Sequence, residues 1–226
     1  MEELSYVLQR AARPPVPGAG FDAPPWDAAT PLELAHFHER SGPHRPRTRA
    51  KLLYDNTGLH LYFHVEDRYV RSVRTKLHDM VCRDSCVEFF VAPLPGRGYF
   101  NFEFNAGGAL LLWHIEDHRR ISAFELAKAT ALPAETAGLV RIRSSLPAVV
   151  EPEIAEPCTW TLEACIPYPV MESRLGTLTV RPGVTWRANF YKCGEETRYP
   201  HWASWSPIGA ALNFHQPEAF APLHFA

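Results

Sequence analysis

Between Arg83 and Asn105 the chain reads RDSCVEFFVAPLPGRGYFNFEFN, and apolar and polar positions alternate with a period of two. That period marks half-buried strands. Val87, Phe89 and Val91 share one face of the first strand, opposite Cys86, Glu88 and Phe90. In the second, Phe100, Phe102 and Phe104 stand opposite Tyr99, Asn101, Glu103 and Asn105. The connection PLPGRG holds two prolines and two glycines, which predicts a hairpin with a loop longer than two residues. One face of this hairpin builds core, and the other presents Glu88, Asn101, Glu103 and Asn105 in a row. Strands pair about 4.8 Å apart, so side chains from both can converge on one ligand. The same row would also suit bulk water.

The pattern recurs along the chain. AKLLYD, the turn Asn56-Thr57-Gly58 and LHLYFHVED predict a second hairpin, with Leu59, Leu61, Phe63 and Val65 inward and His60, Tyr62, His64 and Glu66 outward. His60 and His64 would lie about 13 Å apart along a strand, too far to share one ion. ALLLWHIED alternates Ala109, Leu111 and Trp113 against Leu110, Leu112 and His114. CTWTLEACIP sets Trp160, Leu162, Ala164 and Ile166 against Thr159, Thr161, Glu163 and Cys165. TWRANFYKC sets Trp186, Ala188 and Phe190 against Arg187, Asn189, Tyr191 and Cys193. GLVRIRSS reads as a strand, residues 118–129 as a short helix, YPVMESRLG as one helical turn closed by Gly176, and LPAVVEPEIAEP as a loop. PLELAHFH fits a strand or a short helix. These elements predict an all-β, antiparallel β-sandwich of immunoglobulin-like or jelly-roll type with a few short helices. Phe63, Val65, Val87, Phe89, Phe102, Phe104, Trp160, Leu162, Trp186 and Phe190 form its expected core.

At 226 residues the expectation is a single domain, with residues 1–25 a loop-like extension rich in proline. Hydrophobic residues at 46% supply a core, and a formal charge of −2 leaves no basic field for nucleic acid or an anionic membrane. No apolar run is long enough to span a bilayer. The amino terminus lacks a basic segment followed by an apolar one, so the chain as it stands reads as cytoplasmic. Five cysteines, an odd number without a CxxC, predict free thiols.

LLYDNTGLHLYFHVED, RDSCVEFFVAP, YFNFEFNAGG, WTLEACIP, WRANFYK and SWSP occur in the order and spacing of family 9 carbohydrate-binding modules. The chain resembles that family from about Trp26 to Phe225. The resemblance implies an antiparallel β-sandwich that binds a saccharide or glycan-chain end, of xylan or cellulose type, in carbohydrate catabolism. It implies no catalysis by the module itself, although such modules are often attached to xylanases, and it implies structural calcium. In the family two tryptophans sandwich a pyranose, since the C–H faces of a sugar stack on indoles. The later one matches Trp205, whereas Cys82 stands at the earlier position. The family's glutamate matches Glu88, its Arg-x-Asn matches Glu103 and Asn105, and Asn189 lies in a third strand on the same face. With one indole and one basic donor replaced, weak binding is expected, and Tyr62, Phe90, Trp113 and Trp202 are the aromatic residues that could compensate.

Other readings stay open on the sequence. Glu88 and Glu103 could serve as the carboxylate pair of a glycoside hydrolase, which needs about 5–9 Å between them. Met80 or Met171 with a histidine could hold haem, as in relatives of this sandwich. The fold could also bind a protein partner without any sugar site. Asp55, Asp67 and Asp84 are possible calcium ligands and equally good turn residues.

Overall fold

A computed structural model describes residues 4–122 and 125–226. Its strands begin with β1 (Tyr6–Arg10), β2 (Leu32–Glu33), β3 (His36–Phe37), β4 (Arg47–Tyr54), β5 (Gly58–Asp67) and β6 (Val70–Ser72). The central group is β7 (Cys86–Ala92), β8 (Tyr99–Asn105), β9 (Leu110–Arg120) and β10 (Leu126–Ala131). Helix α1 (Ala134–Ala137), β11 (Arg141–Ser144), β12 (Val150–Ile154), β13 (Cys158–Pro167) and α2 (Tyr168–Leu175) follow. The chain ends with β14 (Thr185–Cys193), β15 (Trp202–Ser204) and β16 (Ala221–Phe225).

The main sheet runs β10-β9-β8-β7-β14-β16-β1-β4-β5-β13-β11. Its ladders are antiparallel except at β1, which pairs in parallel with β16 on one side and β4 on the other. The sheet doubles over itself at this seam, giving a mostly β protein with an open, sandwich-like arrangement. Phe63 on β5 meets Phe190 on β14 with ring centroids 6.2 Å apart, and Phe190 meets Phe89 at 4.9 Å. All ten residues expected in the core are buried in one cluster, each large side chain contributing about 1.5–3 kcal/mol. The β7–β8 turn depends on glycine. Gly98 has φ +75°, and a Cβ there would run into the Ile115 carbonyl on β9.

Four segments differ from the sequence expectation. Tyr6–Arg10 is the seam strand, not extension loop, because Tyr6 and Leu8 point into the core. Phe21 and Trp26 then fold over Tyr62, so the outward row of β5 lies partly under cover rather than in water. Within 118–129 the described residues form the end of β9, a bend at Ile121 and Ser122, and the start of β10: Leu126–Ala131 pairs antiparallel with β9, and pairing overrides the helical propensity of Leu, Ala and Lys. Residues 123 and 124 of that segment lie outside the described residues. Val150–Ile154, expected as loop, forms a small ladder with β6.

All five cysteines are unbridged. Cys165 differs electrostatically from the rest. It stands opposite His60 in the β13–β5 ladder, Asp55 holds His60 at 2.8 Å, and Arg141 donates to its sulfur at 3.2 Å. Burial alone would raise its pKa, but hydrogen bonds from His60 and Arg141 bring it below the usual thiol value. Burial raises the other four thiols. Iodoacetamide near neutral pH should therefore label Cys165 first, on the order of tenfold faster than any other thiol. Peptide mass spectrometry would read this, with Arg141→Ala slowing the reaction; equal labelling of Cys82 or Cys158 would refute it.

Candidate functional site

The outward face of β7, β8, β9 and β14 floors a cavity of about 610 Å³. Strand parity sets the floor: Glu88 and Phe90 from β7, Asn101 and Glu103 from β8, Leu111 and Trp113 from β9, and Cys193 from β14. The Met80–Arg83 turn, the Glu195–Trp202 stretch and residues 212–215 build its walls. Residues 212–215 are fixed by chemistry on the floor strands. Tyr191 stacks on Phe214 with centroids 4.2 Å apart and donates to the Phe214 carbonyl at 3.0 Å, while Tyr99 Oη lies 2.7 Å from His215 Nδ1. A second, smaller core of Phe90, Tyr99, Ile115, Tyr191 and Phe220 results beneath this covering chain.

Glu88 and Glu103 face each other across the β7–β8 ladder and are only 2% and 6% exposed. Burial, then the neighbouring Glu103 charge, raises the Glu88 carboxyl well above its ordinary range. Burial likewise raises Glu103, to about 7, against the hydrogen bond that Asn101 donates at 2.8 Å. Trp113, Trp202 and Phe214 present half-buried aromatic surface around this polar floor. Trp113 Nε1–H is a buried donor without an acceptor. The arrangement offers acceptors, an amide and flat apolar faces within one enclosure. A larger cleft of about 800 Å³ lies between Arg10, Asn56 and Arg181, but its Tyr54 and Tyr168 are buried in the core.

Of the five residues singled out in the sequence, Glu88 and Glu103 line the cavity. The other three lie elsewhere. Trp205 is enclosed in the main core, packed edge-on against Tyr6 at 6.4 Å and Phe190 at 5.7 Å, so it cannot stack on a sugar. Asn105 clamps the β8–β9 turn, donating to the Arg74 carbonyl and Asp84 and accepting from Ala109 N–H. Asn189 is tied to the backbone of Ser206 by a donated and an accepted bond, each 2.9 Å. The polar row that would have suited bulk water is therefore the floor of a partly covered pocket. Of the aromatic residues considered as substitutes, Trp113 and Phe90 stand in its floor and Trp202 in its wall, whereas Tyr62, on β5, packs with Phe21 and Trp26. Asn101 shared the outward row; Phe214 and His215 belong to an aromatic-rich tail without strand periodicity, so nothing local marked them.

Asp55, Asp67 and Asp84 do not fit calcium. Asp55 accepts from Thr57, Gly58 and His60. Asp67 accepts from Arg68 N–H and Trp160 and pairs with His44 and Lys192. Asp84 accepts from Val73 and Arg74 N–H and pairs with the Arg74 guanidinium at 2.7 Å. Oxygens engaged by donors and cations are poor ligands for a hard cation. Met171 is buried in the main core and lines neither large cavity, while Met80 lies at the cavity rim.

A pocket of this kind, carried on a sheet face, defines a small-ligand-binding module. The sequence says which: the chain belongs to carbohydrate-binding family 9, whose model matches residues 30–225. Among solved structures it is similar to a Bacteroides uniformis protein to which carbohydrate binding is ascribed, 27% identical over 100% of both chains, with a TM-score of 0.81. It also shares its fold with a family 9 carbohydrate-binding module from Caldicellulosiruptor kristjanssonii in complex with cellotriose, at 13% identity and TM-score 0.62, covering 98% of this chain and 93% of that one. The glucose complex of a family 9 module from the same organism matches at 13% and 0.62, covering 97% and 95%. No curated protein sequence matches significantly.

Two outcomes follow from this placement. Trp205→Ala should lower unfolding free energy by about 3–5 kcal/mol, as expected for an indole removed from a core; a denaturant midpoint equal to that of the natural protein would place Trp205 outside the core. His215 supplies a pH dependence. Burial, helped by the positive field of Arg120 and His118, lowers its pKa from 6.5 to about 3. Below pH 6.5 the unfolded chain binds a proton that the folded one refuses, so stability is whole above that pH and declines as pH falls toward 3. His215→Gln keeps an acceptor for Tyr99 and cannot be protonated, so its stability should fall less steeply over the same range. Parallel curves in urea melts would count against this.

Proposed function

We propose that the cavity over β7, β8, β9 and β14 binds a short saccharide without cleaving it. The observation that carries this reading is aromatic surface from Trp113, Trp202 and Phe214 set around the polar floor of Glu88, Asn101 and Glu103. Indole and phenyl faces suit the C–H faces of a pyranose, and the floor supplies partners for adjacent hydroxyls. Family membership supports the ligand class, and the cellotriose and glucose held by the Caldicellulosiruptor modules suggest β-linked glucose or xylose chains as the first ligands to try. Such binding would place the protein in carbohydrate catabolism, beside enzymes that cut glycosidic bonds.

The floor geometry favours binding over hydrolysis. A glycosidase sets its two carboxyls on either side of the scissile bond, whereas Glu88 and Glu103 stand side by side on one sheet face. The immunoglobulin-like or jelly-roll connectivity expected from the sequence is retained as part of this reading.

Calorimetry or NMR titration with glucose, xylose and cello- and xylo-oligosaccharides tests the proposal. Affinity should be near millimolar, about −4 kcal/mol. Trp113→Ala and Trp202→Ala should each weaken it by roughly tenfold, about 1.4 kcal/mol. Binding that survives both substitutions unchanged would put the site elsewhere. Silence across a broad glycan panel would sink the saccharide reading in favour of a protein partner.

A further inference from the structure

At one end of the cavity, beside the Met80–Arg83 turn, β7 and β14 bring two thiols and a carboxylate together. Cys86 and Glu88 are two residues apart and share a strand face, and Cys193 is the direct ladder partner of Cys86. One ligand atom from each lies within 4.8 Å of the other two. Cys193 Sγ is 3.1 Å from Glu88 Oε1, and Cys86 Sγ is 4.0 Å from the same oxygen. All three side chains are buried, and no other such group of three occurs among the described residues.

The distances suit one tetrahedral ion. Bonds of about 2.3 Å to sulfur and about 2.0 Å to oxygen at a tetrahedral angle place sulfur and oxygen roughly 3.5 Å apart. The observed 3.1 and 4.0 Å bracket that value, so shifts of about half an ångström would bring both sulfur–oxygen pairs to it, and the two sulfurs lie within 4.8 Å of each other. Glu103 adds a second carboxylate opposite Glu88. The neighbouring cations are committed elsewhere: Lys192, on the other face of β14, contacts His201 and Asp67, and Arg83 pairs with Glu196. Besides Glu88, the thiols contact backbone carbonyls, Cys193 that of Cys82 at 3.4 Å and Cys86 that of Val87 at 3.7 Å, and a cation would satisfy two thiols and two carboxyls better than these long contacts do.

We propose that Cys86, Glu88 and Cys193 bind a thiophilic divalent cation of the zinc class. Three protein ligands leave a fourth position on the cavity side, where Glu88 and Cys193 form part of the lining. Thiolate ligands select zinc-like ions over calcium or magnesium. Each thiol releases its proton to solvent as the ion binds, so affinity rises with pH. The inference shares Glu88 with the saccharide reading but does not require that a sugar binds.

Cobalt(II) titration of the untagged full chain under reducing, oxygen-free conditions tests it. The expected result is one equivalent bound, with a thiolate-to-cobalt charge-transfer band in the near ultraviolet that zinc abolishes. Cys86→Ala and Cys193→Ala should each remove or strongly weaken the band, Glu88→Gln should weaken binding at least tenfold, and Cys165→Ala should change nothing. Circular dichroism reports folding of each variant, and if either alanine variant fails to fold, Glu88→Gln decides. Absence of the band, its persistence in both alanine variants, or a Cys86–Cys193 disulfide as the resting form would overturn the proposal. Sugar titrations run with chelator read the saccharide site separately, so a natural protein that binds sugar but gives no cobalt band rejects only the metal.

Discussion

A strand has two faces, and a residue placed on one is denied to the other. Val87, Phe89 and Val91 must point inward to meet the far sheet, which commits Cys86, Glu88 and Phe90 to the outer side. The same rule on β8 sends Phe100, Phe102 and Phe104 in, and Asn101 and Glu103 out. The pocket floor is therefore the reverse side of the core. A slip of one residue in the β7–β8 register would turn one strand over, burying Glu88 or Glu103 in the core and leaving that strand's own apolar row outside.

That constraint explains what could be read from the chain alone. Parity is local, so the ten core positions and the polar row were visible in the alternation of β5, β7, β8, β13 and β14. Cover is not local. The outer row looked ready to face water because nothing near Glu88 in sequence announces that residues 212–215 will fold over it. Trp205 shows the same limit. It follows the short strand β15 and its backbone N–H bonds the Phe190 carbonyl, which carries the indole to the inner side. A tryptophan in a Ser- and Pro-flanked stretch gives no sign of which face it will take. Asn105 and Asn189 kept the outward parity expected of them, but turn and loop backbone claimed their amides first.

Charge at the inner end of the sandwich follows a different logic. Lys192 continues the inward row of Trp186, Ala188 and Phe190, yet it is a lysine, and it is wholly enclosed. Asp67 on the opposite half lies 3.5 Å away, with His44, His201 and Trp160 completing the shell. Burial would raise the Asp67 carboxyl, but the Lys192 charge and the His44 hydrogen bond hold it below the usual range. Replacing both members with apolar groups could be neutral, whereas removing one would strand a buried charge at a cost of about 3–5 kcal/mol. An aspartate that resembled a turn residue is thus a fastener between the two halves.

The seam strand has a kinetic consequence. β1 lies near the start of the chain, and one of its two partners, β16, lies near the end. Contacts this far apart in sequence close slowly, because the entropy of a very large loop must be lost before any ladder bond forms. Until they close, β16 and β1 each expose a row of unpaired amides and carbonyls, the kind of edge that recruits strands from other molecules. As the ribosome delivers the chain, β1 emerges long before β16 and must wait for it. The interval before the seam closes is when aggregation competes most directly with folding.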